Sequence, residues 1–259
     1  MADILRAAFA GSFYPVNRME LLDMVTGFLD TGVSPVAHSP GMVVPHAGYI
    51  YSGRTAGLGF SHAPDSVKTV VVCAPSHRYP FNGAAVLQVD GVETPLGVCS
   101  VNREAADALA ESTSAIVLHE HSFEVMVPFI QLRWPEAEVV PLITGIGVNC
   151  ARLAEKVMDT AENAYFIASS DLSHFHPLET AEKLDRKAID GFLTMNPALF
   201  ERSLSEGAEA CGRDPVLTLM HLGALKGCTR AMEISYSTSA DAGAGTEEVV
   251  GYFAGMVTE

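Results

Sequence analysis

Three histidines each follow a short apolar run. Met42-Val43-Val44 leads into Pro45-His46, Val70-Val71-Val72-Cys73-Ala74 into Pro75-Ser76-His77, and Tyr165-Phe166-Ile167-Ala168-Ser169 into Ser170-Asp171-Leu172-Ser173-His174. Neutral imidazole ligates transition metals and carries protons near neutral pH. A single histidine beyond a strand is usually a satisfied polar residue, but repetition at one local position calls for a shared purpose. Cys211 adds a thiol. It stands two residues before Arg213, and Asp214-Pro215 mark a helix start, a setting that lowers a thiol pKa. His46, His77 and Cys211 thus form a candidate ligand set for Fe(II), copper or zinc rather than magnesium. His174, three residues after Asp171, suits proton transfer assisted by that carboxylate, although both can also ligate a metal. Glu120, His121 and Glu124 are candidates to line the same crevice as hydrogen-bonding partners. Tyr49 and Arg213 are candidates to hold an anionic or aromatic substrate.

Positioning these groups requires a sheet. The β-branched apolar runs, followed by helical patterns, read as strands buried on both faces of a largely parallel or mixed sheet flanked by helices, an α/β fold. The carboxyl ends of such strands line the ligand crevice. Asn17, with Glu20 three residues on, predicts a capped helix. Gly53 opens a small-residue helix to about His62, Asn102 caps another, and Pro128 interrupts the segment after His121. Further strands are predicted over residues 84–89, 138–143, 232–236 and 249–257, with helices over 149–159, 178–195 and 197–204.

Composition limits the functional classes. The 259 residues, 48% hydrophobic, show no linker, repeat or low-complexity tract, so one domain over residues 1–259 is expected. Sixteen basic against 31 acidic residues give a net charge of −15, which repels polyanions and argues against nucleic-acid binding. No run approaches a membrane span and no signal segment opens the chain, so the expectation is a soluble, cytoplasmic protein. Five cysteines without a C-x-x-C pair argue against a disulfide framework and a zinc knuckle. Gly145-Ile146-Gly147 lacks the third glycine of a dinucleotide fingerprint, and neither a Walker loop nor a G-x-S-x-G elbow occurs.

Several short motifs occur in series: Ala10-Gly11-Ser12-Phe13-Tyr14-Pro15, Pro45-His46-Ala47-Gly48-Tyr49, Pro75-Ser76-His77, Glu120-His121-Ser122-Phe123-Glu124, Ser169-Ser170-Asp171-Leu172-Ser173-His174 and Cys211-Gly212-Arg213. As a set they resemble the Memo-like family, called AmmeMemoRadiSam system protein B in microbes. The resemblance spans nearly the whole chain and implies a fold similar to class III extradiol dioxygenases. It implies that His46, His77 and Cys211 match the metal positions, and Asp171 and His174 the neighbouring polar pair. Those dioxygenases use two histidines and a carboxylate on iron with a further histidine as acid/base; here Cys211 stands in the carboxylate's place. The resemblance also implies an AMMECR-type protein and a radical SAM enzyme as partners. Animal relatives are linked to phosphotyrosine-peptide recognition and copper-dependent redox chemistry. The leading expectation is therefore a metal-dependent redox enzyme with a His/His/Cys site. The alternative is a module that binds an anionic peptide or protein, or a structural subunit of a radical SAM assembly.

Overall fold

Gly41–Val44, Tyr165–Ser169, Thr69–Pro75 and Glu138–Thr144 lie side by side as parallel strands in the computed structural model of the chain. The structure describes residues 2–110, 114–116, 119–160 and 163–259. All four strands are apolar on both faces because helices cover both. Tyr49–His62 packs against Gly41–Val44, and Arg213–Leu225 packs against Tyr165–Ser169. Antiparallel strands extend the sheet on both sides and make it mixed. Val249–Thr258 pairs with Gly41–Val44 and carries Arg230–Thr238 and Asp171–His176. Ala84–Leu87 pairs with Glu138–Thr144, with Ser114–Ile116 beyond it. A small separate sheet joins Ile4–Leu5, Gly91–Thr94 and Gly97–Ser100. One contiguous apolar core, from Leu5 to Val257, holds these parts together as a single α/β domain.

The register decides what meets at the carboxyl edge. Tyr165–Ser169 lies between the other two histidine-bearing strands, with Val44 opposite Ser169 and Cys73 opposite Ala168. His46 and His77, each two residues past its strand, emerge on either side of Ser169. The third run ends at Ser169 as expected, but after Ser170 the chain begins a separate strand, Asp171–His176, antiparallel to Val249–Thr258. Asp171 therefore stays at the carboxyl edge while His174 is carried to one flank.

Local departures have local causes. Asn17 caps Arg18–Leu29 as predicted, its side chain accepting from the Met19 and Glu20 N–H groups. The helix after His46 starts at Tyr49, earlier than Gly53, because the Tyr49 N–H is already satisfied by the Phe13 carbonyl. Pro128 does not kink a long helix. It opens a new one, Val127–Arg133, after the four-residue helix His121–Glu124. The last long helix begins at Arg213 rather than after an Asp214 cap. Gly212 presses on the end of the central strand, where a Cβ would meet the Ser169 carbonyl oxygen at 2.1 Å. Among the described residues, no helix is long and apolar enough to cross a membrane.

Candidate metal centre

His46, His77 and His121 each bring one ring nitrogen within 4.8 Å of the others. His46 is almost fully buried, at 1% exposure. His77 and His121 lean over it, with ring centroids 5.1 and 5.5 Å away. Burial, followed by the neighbouring His77, His121 and His174, holds the His46 pKa well below the ordinary imidazole range. At neutral pH His46 therefore presents a lone pair, the form a metal requires.

A polar partner behind the His46 ring selects which of its nitrogens is free. Ser169 Oγ donates its one proton to the Ser122 carbonyl at 2.6 Å, and so accepts at His46 Nδ1, 2.8 Å away. His46 thus carries its proton on Nδ1 and offers Nε2. Glu120 backs the other two rings without completing a hydrogen bond to either, with Oε1 at 3.0 Å from His121 Nδ1 and 3.5 Å from His77 Nδ1. Its Oε2 accepts the His77 backbone N–H at 2.8 Å. Burial alone would raise the Glu120 pKa, but contacts with His121 and His77 reverse this and hold it well below the usual carboxylate range. The 3.0 Å contact is too poorly aligned for a hydrogen bond, leaving His121 Nδ1 and Glu120 Oε1 buried without formal partners. That unfinished contact, the three imidazole nitrogens and their oxygen backing fit a transition metal.

His121 reaches the cluster through its neighbour. Ser122 donates to the Pro75 carbonyl at 2.7 Å and accepts from Ser169, which fixes the short helix to the ends of two parallel strands. Asp171 lies on the other side of His46. Its Oδ1 accepts the His46 backbone N–H at 2.7 Å, and its Oδ2 is 3.9 Å from His46 Nε2. Burial pushes the Asp171 pKa up to about 6, against the opposing His46 hydrogen bond and nearby imidazoles.

Cys211 is also beside His46, with Sγ 3.3 Å from Nε2, but it lies outside the three-nitrogen cluster. Its sulfur accepts the Asp171 backbone N–H at 3.2 Å. Burial first, and the Asp171 carboxylate second, push its thiol well above the ordinary range. The cationic help expected from Arg213 is absent because that side chain pairs with Glu201 and Asp214. The expected His/His/Cys set is therefore corrected to His46/His77/His121, and the redox reading built on a thiolate ligand goes with it.

Residues 6–257 match the family model for Memo-like protein. The chain belongs to the Memo-like family. It is 35% identical to a MEMO1 family protein of Archaeoglobus fulgidus, covering 96% of this chain and 97% of that one. It is 31% identical to one from Methanosarcina barkeri, with 96% and 98% coverage. A Thermotoga maritima relative is 30% identical, with 97% and 99% coverage.

The remaining candidates of this Memo-like chain are placed as follows. Tyr49 is buried, and its hydroxyl donates to the Val125 carbonyl at 2.6 Å. Glu124 is also buried and gathers the N-terminal segment by accepting from the Ala8 and Phe9 N–H groups and the Tyr14 hydroxyl. His174 Nδ1 contacts the Leu172 carbonyl at 2.8 Å, and its backbone N–H donates to Glu209. Glu209 also holds His176 at 2.9 Å. The sequence places His121 in the crevice only as a hydrogen-bonding partner, whereas the structure brings its ring into the cluster. The pairing of Glu120 with His121 was the available signal for its place in the cluster. A hollow of about 900 Å³ lies away from the imidazoles at the amino ends of the parallel strands, beside Thr69 and Glu138.

Proposed function

We propose that this protein is a metal-dependent ligand-activating protein whose centre is held by His46, His77 and His121. The carrying observation is the meeting of three imidazoles whose Nδ1 sides face Ser169 and Glu120. Three imidazole nitrogens suit zinc, copper or iron. When bound, such a metal supplies Lewis-acid polarisation of an oxygen ligand.

The chain supplies the rest. Ser169 and Glu120 orient the rings, and the low pKa of His46 keeps its Nε2 available at neutral pH. Asp171, with a pKa pushed up to about 6, is suited to accept and return a ligand proton beside the centre. His174, on the flanking strand, relays that proton to solvent. All five cysteines are free, and on that ground we infer a reducing, cytoplasmic setting.

Metal content separates this ligand set from one that includes sulfur. The natural protein, His121→Ala and Cys211→Ala should be purified anaerobically without an affinity tag and analysed for metal. Near-stoichiometric metal is expected in the natural protein and in Cys211→Ala, with loss in His121→Ala. Retention in His121→Ala alongside loss in Cys211→Ala would overturn the assignment.

A further inference from the structure

Tyr252 stands directly opposite Asp171 in the antiparallel pairing of Val249–Thr258 with Asp171–His176. Directly opposed residues project from the same face of a sheet. On that face the Asp171 carboxylate reaches His46. A second register leads to the same place. Gly255 is opposite Val43, so Tyr252, three residues further along the antiparallel strand, passes beyond Val44 beside the Pro45-His46 turn. Tyr252 is only 2% exposed. Its hydroxyl nevertheless has no hydrogen-bond partner among the described residues, and it is not one of the sealed unpartnered atoms, so the oxygen meets solvent.

Asp171 has a matching vacancy in its hydrogen bonding. Oδ1 is engaged by the His46 N–H, whereas Oδ2 is 3.9 Å from His46 Nε2, beyond hydrogen-bonding distance. A bare donor and a bare acceptor thus share one face of the sheet, and the acceptor adjoins the His46 imidazole. A phenol with a buried ring and an open hydroxyl is pre-ordered for recognition, since little side-chain freedom remains to be lost. Burial, followed by the nearby Asp171 and Tyr51, keeps this phenol protonated and therefore a donor.

We propose that Tyr252 and Asp171 orient the ligand of the three-histidine centre as a donor–acceptor pair. Its ligand is a small neutral chelator with a carbonyl-type oxygen for the Tyr252 hydroxyl and an adjacent O–H for Asp171 Oδ2. This inference rests on the metal reading above. It makes Tyr252 a positioning residue even though no sequence motif singles it out.

The test uses full-length protein loaded with Co(II), whose visible spectrum reports ligand binding. Acetohydroxamic acid is the probe with both groups, and imidazole is a probe without a carbonyl-type oxygen. Tyr252→Phe should retain its metal and thermal midpoint because the lost hydroxyl has no hydrogen-bond partner among the described residues. Its affinity for acetohydroxamic acid should fall about tenfold while its affinity for imidazole stays unchanged. Equal acetohydroxamic acid affinity in the two proteins would overturn the pairing. Equal losses for both probes, or loss of metal from the variant, would show a structural prop instead. Failure of the natural protein to bind Co(II) would remove the underlying metal reading, an outcome distinct from the others.

Discussion

Ser169 decides which nitrogen of His46 carries the proton. Its single hydroxyl hydrogen is committed to the Ser122 carbonyl, so it accepts from Nδ1 and leaves Nε2 facing the cluster. The same hydroxyl couples the central strand to the helix that bears His121. Ser169→Ala should lower metal affinity about 10- to 100-fold by loosening ring orientation. It should also cost roughly 1–2 kcal/mol in stability, because the Ser122 carbonyl is left buried without its donor. Competition against a chromophoric chelator and a urea melt would read the two effects. Unchanged metal affinity would exclude control by this hydroxyl.

Glu120 serves two rings and one backbone N–H, and a glutamine cannot reproduce those contacts with two equivalent acceptor oxygens. Glu120→Gln is predicted to weaken metal binding about 10- to 100-fold. Glu120→Asp, which preserves charge but shortens the reach, should weaken it as well. Isothermal titration of the metal-free proteins checks this. A variant that binds as tightly as the natural protein would show that the carboxylate only fills space.

The strand ends at His46 and His77 were legible because continuous β-branched runs announce buried parallel strands, whose carboxyl ends have a known use. His174 was read into the same position because Ser169-Ser170-Asp171 gives no local sign that one strand ends and another begins. The break is set by pairing with Val249–Thr258, a partner distant in sequence. His121 was underestimated for a related reason. It arrives through Ser122 contacts to Pro75 and Ser169 rather than on a strand of its own. At Cys211, proximity to Arg213 suggested a thiolate, but sequence spacing does not show that the guanidinium faces Glu201 and Asp214.

Phe175 has φ 61°, a left-handed conformation that is costly for an aromatic residue, and its side chain is 69% exposed. Neighbouring contacts hold the turn: Glu209 binds the His174 N–H on one side and the His176 ring on the other. Phe175→Gly should be more stable than Phe175→Ala by about 1 kcal/mol, because only glycine adopts this φ without the Cβ penalty. In an ordinary helix or strand the order would be reversed. Paired urea melts measure the difference, and an alanine variant at least as stable as glycine would contradict strain at this residue.

Asp185 gives the clearest expectation for pH. It is fully buried on Leu178–Leu193, with Oδ1 accepting the Ser173 N–H at 2.9 Å and Oδ2 the Tyr236 hydroxyl at 2.7 Å. Gly251 packs so closely that a Cβ would lie 1.9 Å from Oδ2. Burial raises the Asp185 pKa, while the hydrogen bonds from Ser173 and Tyr236 oppose the shift. The native carboxyl therefore retains a proton at pH values where the unfolded chain, near its ordinary value of 3.8, has released one. In that interval the native state binds more protons, so this group makes stability fall as pH rises. Its favourable contribution is present below the unfolded pKa and is lost through the folded pKa. Asp185→Asn can still accept from Ser173 and can donate to the Tyr236 oxygen, but it does not titrate. Across a series of urea melts from about pH 4 to 7, its stability relative to the natural protein should therefore increase with pH. A constant difference across the series would show that the Asp185 pKa is the same in the folded and unfolded states.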